Sequence, residues 1–355
     1  MKILTILGTR PEIIRLSRII ARLDKVCDHK MVYTGQNYDP SLSDIFFQEL
    51  GVRAPDYELQ CRGSLAEQLS RIFVGVENIL TEFRPDAVLI LGDTNSALAA
   101  IVCERMMFPV YHMEAGNRCF DLSVPEEKNR RLVDSISSVN LPYTHAAKEN
   151  LLREGVPINR IWITGNPIKE VIDHFEVDID RSSVLDRMGL EPYNYVLVTA
   201  HRAENVDDPK RLTNIMTALR EIAKTQQVVF SCHPRTAQRL GDLNQQARPK
   251  QLHICEPFGF FDFVKLEKYC AVGITDSGTV QEELCLFGRP AVTIRQSTER
   301  PETVWCGSNI VSGLDVANIL AAYQQSHATC WKVPEEYDRN NVSQTVVNIL
   351  LGHHV

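Results

Sequence analysis

The octapeptide Asp276-Ser277-Gly278-Thr279-Val280-Gln281-Glu282-Glu283 follows the apolar run Ala271-Val272-Gly273-Ile274-Thr275. A strand that ends in a Ser-Gly turn and opens straight into a helix presents first-turn N–H groups and the positive end of the helix dipole. That end takes an anion such as a phosphate, and Gly278 lets it approach the backbone closely. A glutamate at the place of Glu283 can accept from ribose hydroxyls. The pattern suits a nucleotide diphosphate, although alone it also describes an ordinary capped helix. A second kind of chemistry sits earlier in the chain. The run Leu91-Gly92-Asp93-Thr94 places Asp93 at a strand end, Glu114 ends His112-Met113-Glu114, and Glu126 opens a helix after Val124-Pro125. Carboxylates gathered at neighbouring strand ends raise one another's pKa, which suits acid/base work. Glu127, by contrast, reads as a helix-cap or loop carboxylate.

Three further turns carry polar groups after apolar runs. Gly8-Thr9-Arg10-Pro11-Glu12 has the glycine, the arginine and the helix start of a phosphate-binding turn. It matches neither a Walker loop nor Gly-x-Gly-x-x-Gly, so triphosphate hydrolysis and NAD binding are not indicated. Thr199-Ala200-His201-Arg202 offers His201 to neutralise a phosphate or protonate a leaving group, and His233 after the next run ranks below it. Arg300, in Thr298-Glu299-Arg300-Pro301-Glu302, is a candidate clamp on a diphosphate. The sequence shows neither a Ser/His/Asp triad nor a metal constellation.

These turns need elements to hold them. Apolar runs fall at residues 2–7, 30–34, 86–91, 109–113, 139–142 and 160–164, and again at 194–199, 227–232, 251–254, 271–275, 290–294 and 309–312. Helical patterns lie between them, as at 11–24, 64–83, 95–107, 126–138, 209–225 and 277–287. Continuous apolar strands alternating with helices predict parallel sheets covered on both faces. The fold class is therefore α/β, with two doubly wound, Rossmann-like domains. In such sheets ligands bind beyond the carboxyl ends of the strands, where the polar turns stand. The boundary falls near Gly165-Asn166-Pro167 or in the charged stretch 173–194; taken at the first, the domains are 1–167 and 168–337.

Composition narrows the class. The 355 residues are 44% hydrophobic and 23% charged, which is ordinary for a globular protein. A formal charge of −7 without a basic run speaks against nucleic acid as the partner. The ten cysteines form no Cys-x-x-Cys pair, so buried thiols in a reducing cytoplasm are expected rather than a metal site. The opening apolar run is too short for a signal peptide. No stretch approaches the roughly 18 apolar residues of a membrane span.

The polar turns, taken in order, resemble the non-hydrolysing bacterial UDP-N-acetylglucosamine 2-epimerase family. The resemblance rests on Gly8-Thr9-Arg10-Pro11-Glu12, Thr34-Gly35-Gln36, Gly92-Asp93-Thr94, His112 with Glu114-Ala115-Gly116, and Pro125-Glu126-Glu127 with Asn129-Arg130. It continues through Thr164-Gly165-Asn166, His201-Arg202 with Glu204-Asn205, Thr275-Asp276-Ser277-Gly278 with Glu282-Glu283, and Thr298-Glu299-Arg300-Pro301-Glu302. The resemblance implies two Rossmann-like domains facing a cleft, as in GT-B glycosyltransferases. It also implies that the C-terminal helix, 338–355, packs back on the first domain. It implies a homodimer, and no cofactor: neither nicotinamide nor metal. The implied reaction is anti elimination of UDP to 2-acetamidoglucal and re-addition, turning UDP-GlcNAc into UDP-ManNAc for cell-surface polysaccharide. Asp93, Glu114 and Glu126 would be the acid/base carboxylates, with His201 beside them in the catalytic set. Ser277, Gly278, Glu283 and Arg300 would hold UDP together with His201. Arg10 and Arg15 would lie near the phosphates, and Phe263, by its place before the 271–275 run, would contact uracil.

The chain departs from the family pattern in three places. Arg15 stands where a lysine is common, and the two cations are not equivalent at a phosphate. Gln36-Asn37-Tyr38-Asp39 replaces the Gln-His-x-x-Met linked to activation by a second UDP-GlcNAc. The stretch Glu114–Asp121 resembles the branch that epimerises UDP-2-acetamido-2,6-dideoxy-L-talose, whereas Thr298-Glu299-Arg300 resembles the UDP-GlcNAc branch. A 6-deoxy substrate, a hydrolysing epimerase and a glycosyltransferase of the same architecture are the alternative readings.

Overall fold

The computed structural model describes residues 1–35, 40–243 and 249–352. They form two compact units, the first of residues 1–173 with 335–355 and the second of 174–334. The first unit holds six parallel strands: β1 Lys2–Leu7, β2 Asp28–Tyr33, β3 Tyr57–Glu58, β4 Ala87–Leu91, β5 Val110–Met113 and β6 Val139–Leu141. Their order is β3-β2-β1-β4-β5-β6. The second unit repeats the scheme with β7 Tyr195–Thr199, β8 Gln227–Ser231, β9 Leu252–Cys255, β10 Val272–Thr275, β11 Ala291–Thr293 and β12 Asn309–Val311. Their order is β12-β11-β10-β7-β8-β9. Counted within each unit, both sheets run 3-2-1-4-5-6. The strand order therefore reverses between β1 and β4 and again between β7 and β10, and such a switch point opens a crevice for ligand.

β4 and β7, near the middle of each sheet, are buried along their whole length, as parallel strands covered on both faces must be. The Arg10–Val26 helix shows how its cover is built. It buries Ile13, Leu16, Ile19, Ile20 and Leu23 against the sheet, at helical spacing. Each such side chain contributes about 1.5–3 kcal/mol on burial. The segment Val342–Gly352 buries Val342, Val346, Val347 and Leu350 and packs on this first helix. Arg22 Nε donates to Ser343 Oγ at 2.6 Å, and Ser343 N donates to Glu170 Oε2 at 2.7 Å.

Three details differ from the sequence reading. Residues 160–164 form no strand; a 3₁₀ turn at Ile158–Arg160 leads to an isolated bridge between Asn140 and Ile161. The sixth strand of that sheet is β3 instead, and two residues are too few to show a periodicity. Residues 168–173 and 335–337 fall in the first unit. Glu170 is tied to Ser343 there, and Asn166 N donates to Glu336 O at 2.9 Å.

Candidate functional site

In the first unit the polar turns follow β1, β4 and β5. Glu12 closes the turn after β1: it accepts from the N–H groups of Gly8 and Thr9 and from Thr94 Oγ1 at 2.8 Å. Burial pushes its carboxyl up to about 7 against those donors. Through Glu12 the Gly8-Thr9-Arg10 turn and the Asp93-Thr94 turn form one piece. Arg10 is half-buried, with its guanidinium 5.4 Å from the centre of the Phe46 ring.

Asp93 and Glu114 each face an arginine. Arg130 Nε donates to Asp93 Oδ2 at 3.0 Å, and Arg130 Nη2 makes a second bond to the same oxygen. Asn129 Nδ2 holds the Asp93 carbonyl at 3.0 Å. Arg15, which is 1% exposed, donates from Nη1 to Glu114 Oε2 at 2.6 Å. Arg15 is thus the buried partner of Glu114. Glu126 is half-buried at the start of the Pro125–Ile136 helix. Of these three carboxylates, two are neutralised by buried guanidinium groups, so mutual repulsion is not what sets their environment.

Glu114 adopts a left-handed backbone, φ 65°. That is an uncommon conformation for a residue with a side chain, and it persists only where the surroundings over-determine it. Here the surroundings are a buried polar hub. His112 meets Asp134 Oδ1 through Nδ1 at 2.8 Å and the Gly92 carbonyl through Nε2 at 2.7 Å. Asp134 also accepts from Gly116 N at 3.0 Å and pairs with Arg118 Nη1 at 2.7 Å. Burial pushes the Asp134 carboxyl up, but His112 and Arg118 outweigh it and hold the group below the usual carboxylate range. The hub locks the turns on both sides of Asp93 and Glu114. Gly116 has φ +80°, and a Cβ there would lie 2.2 Å from the Ala147 carbonyl oxygen. Gly116→Ala is therefore expected to lower unfolding free energy by about 3 kcal/mol or more. Urea denaturation reads this directly, and an unchanged midpoint would contradict the account of the turn.

In the second unit the turns after β7 and β10 are joined by Asp276, which is fully buried. It accepts from His201 N and Arg202 N, both at 3.0 Å, and from Asn205 Nδ2 at 3.1 Å. The His201 ring is exposed, with Nδ1 3.2 Å from Asp276 Oδ1. Ser277 precedes the Gly278–Leu286 helix but makes no side-chain cap bond; its Oγ pairs with Thr279 Oγ1 at 3.0 Å. The first-turn N–H groups are thus not taken by a Ser277 cap.

Arg300 Nε lies 2.5 Å from Glu282 Oε1, and both side chains are almost wholly buried. Glu299 accepts from Arg295 Nη1 at 2.6 Å and from Arg202 Nη2 at 2.9 Å. A Cβ at Gly278 would stand 2.9 Å from Glu299 Oε1 and 3.5 Å from Arg300 Cζ. Gly278 is the residue type this close approach needs. Glu283 is buried on the same helix, and Phe263 packs half-buried against the apolar cluster around Leu266 and Leu284.

The structure therefore brings Arg15, Asp93 and Glu114 to the strand ends of the first unit, with Arg10 and Glu126 at adjacent helix starts. In the second unit it brings His201, Ser277, Gly278 and Arg300 to the paired turns. The Gln36-Asn37-Tyr38-Asp39 stretch lies outside the described residues. Sequence reasoning missed the supporting shell of Glu12, Arg130, Asp134, Asp276 and Glu299. Its signal was charge where burial was expected: Glu127, Arg130 and Asp134 lie on the inward face of one helix. Among the described residues no group of three His, Cys, Asp or Glu side chains is placed to hold a metal ion. No helix among them is long and apolar enough to cross a membrane.

Two Rossmann-like units in one chain, with buried ion pairs behind the polar turns of both, define an enzyme of the GT-B-like class. Comparison with known proteins gives the family. The family model described as UDP-N-acetylglucosamine 2-epimerase matches residues 21–351. The UDP-N-acetylglucosamine 2-epimerase of Methanocaldococcus jannaschii is 39% identical over 99% of both chains. The UDP-2,3-diacetamido-2,3-dideoxy-D-glucuronate 2-epimerase of Pseudomonas aeruginosa is 35% identical over 88% of both. The crystal structure of the M. jannaschii enzyme in complex with UDP-GlcNAc and UDP superimposes with a TM-score of 0.94 at 38% identity, covering 99% of this chain and 100% of that one. The chain belongs to the UDP-N-acetylglucosamine 2-epimerase family, a family of isomerases.

Proposed function

We propose that the protein is a non-hydrolysing 2-epimerase that interconverts UDP-GlcNAc and UDP-ManNAc. The observation that carries this reading is the pairing of Asp93 and Glu114 with buried arginines at adjacent strand ends, in a chain of this family. A transferase of the same architecture has no need of those carboxylates. In the second unit, Ser277 and the first-turn N–H groups of the Gly278–Leu286 helix hold the diphosphate, with Arg300 and His201 beside them. Glu283 takes the ribose hydroxyls and Phe263 the uracil. In the first unit, Arg10 lies near the phosphates, and Asp93, Glu114 and Glu126 carry the acid/base work at carbon 2.

The chemistry asks for both sets of groups. Carbon 2 is a poor acid, so a positioned carboxylate must take its proton while cations and helix N–H groups stabilise the departing UDP. Asp93 and Glu114 are each paired with a buried arginine. UDP leaves across carbons 1 and 2 to give 2-acetamidoglucal, then adds back, and the proton returns to the other face. Arg15 acts in this scheme through Glu114. The protein works as a homodimer in the cytoplasm, on precursors of cell-surface polysaccharide. All ten cysteines are free, which suits a reducing compartment.

Incubation with UDP-GlcNAc and separation of the products tests the proposal. UDP-ManNAc is expected, without lasting free sugar. Accumulating UDP and ManNAc would instead identify a hydrolysing enzyme. A second reading is a 6-deoxy UDP-sugar, whose branch the Glu114–Asp121 stretch resembles in sequence. Unchanged UDP-GlcNAc, with UDP bound, would support it.

A further inference from the structure

Glu267 lies on the Phe260–Tyr269 helix and is fully buried. Neither of its carboxyl oxygens meets a hydrogen-bond donor from the protein's N–H groups or hydroxyls. Its neighbour is another carboxyl, that of Glu283 on the packed Gly278–Leu286 helix. Two carboxylates bring only acceptors to such a contact, and a buried charge without a partner is costly. A single proton resolves both problems: one group becomes a donor and the pair carries one charge instead of two. The proton is assigned to the more deeply buried group. Glu267 is the deeper of the two, with 0% exposure against 6% for Glu283.

We propose that Glu267 is a positioning residue that keeps the shared proton and donates it to Glu283, so that the Glu283 carboxylate is held in place for the ribose hydroxyls. The proposal rests on the reading of Glu283 as the ribose acceptor. The titratable groups around Glu267 are consistent with it. Besides Glu283 they are Tyr195 from β7 and Cys270 at the end of its own helix. Tyr195 OH is already donated to the Leu266 carbonyl at 2.6 Å, and Cys270 Sγ to the Glu267 carbonyl at 3.3 Å. The charged groups of the helices Glu176–Arg181 and Val184–Met188 do not serve Glu267. Asp180 binds Lys268 and Arg187 binds Asp262. Burial first, then the Glu283 charge, raise the Glu267 carboxyl well above its ordinary value. Below that raised value the proton is present. As pH rises through that raised value the proton leaves, the two carboxylates repel, and affinity for a ribonucleotide falls.

Calorimetric titration with UDP and with 2′,3′-dideoxy-UDP separates positioning from general damage. Glu267→Leu removes the donor and is expected to weaken UDP by about tenfold or more while changing dideoxy-UDP by no more than about twofold. Glu267→Gln restores a donor and is expected to recover UDP affinity to within about threefold and to abolish the alkaline fall seen in the wild type. Circular dichroism shows that each variant is folded. A folded Leu variant that binds UDP like the wild type overturns the proposal, as does equal loss of both ligands. Failure of the wild type to bind UDP would refute the nucleotide reading itself. Equal wild-type affinity for UDP and dideoxy-UDP would refute the role of Glu283 and with it that of Glu267.

Discussion

Asp93→Asn and Glu114→Gln are each expected to reduce turnover by about 10³-fold or more, while UDP affinity stays within about twofold of the wild type. Both changes keep the size of the side chain and an oxygen that can accept from Arg130 or Arg15, so the turns retain their shape. What they remove is the ability to take or return a proton. The groups proposed to hold the nucleotide, Arg10 apart, belong to the second unit and are not touched. Steady-state rates together with UDP titration measure the separation. Near-normal turnover of both variants would sink the catalytic assignment. Loss of UDP binding in step with turnover would mean that the two carboxylates serve the ligand rather than the chemistry.

Arg300→Met is expected to act twice. The guanidinium stands beside Gly278 at the start of the Gly278–Leu286 helix, where the diphosphate is proposed to bind, so its loss is expected to weaken UDP by about 100-fold. It also leaves Glu282 buried without its cation, and breaking a buried pair from one side costs about 3–5 kcal/mol. Combining the change with Glu282→Gln separates the two effects. The double variant is expected to recover most of the unfolding free energy, because no buried charge is left behind, yet to bind UDP as poorly as the single variant. If the double variant also regains affinity, Arg300 acts by supporting the helix and not by holding phosphate.

The chain spells out its sheets because parallel strands buried on both faces are continuous apolar runs. The runs at 86–91 and 194–199 match β4 and β7 to within one residue at each end. Periodicity fails where burial is incomplete or very short. β3 is two residues long, and residues 160–164 are apolar enough to resemble a strand although they follow β6 with only one bridge. The polar turns were legible because a glycine or acid directly after an apolar run has few structural reasons to be there. Their supports were not. Asp134 and Arg130 occupy helix positions that a hydrophobic pattern assigns to leucine, and only the fold shows that His112, Gly116 and Asp93 need them. Arg15 was legible as a cation but not as the partner of Glu114, since that pairing spans 99 residues of sequence.

In the proposed reaction a proton leaves carbon 2 and returns from solvent-exchangeable acid groups while UDP is detached and re-attached. Proton NMR of UDP-GlcNAc incubated with the protein in heavy water tests it most directly. The account predicts that UDP-ManNAc forms with deuterium at carbon 2 and that UDP-GlcNAc recovered at equilibrium also carries it. Product with the original hydrogen still on carbon 2 would contradict elimination and re-addition through these carboxylates.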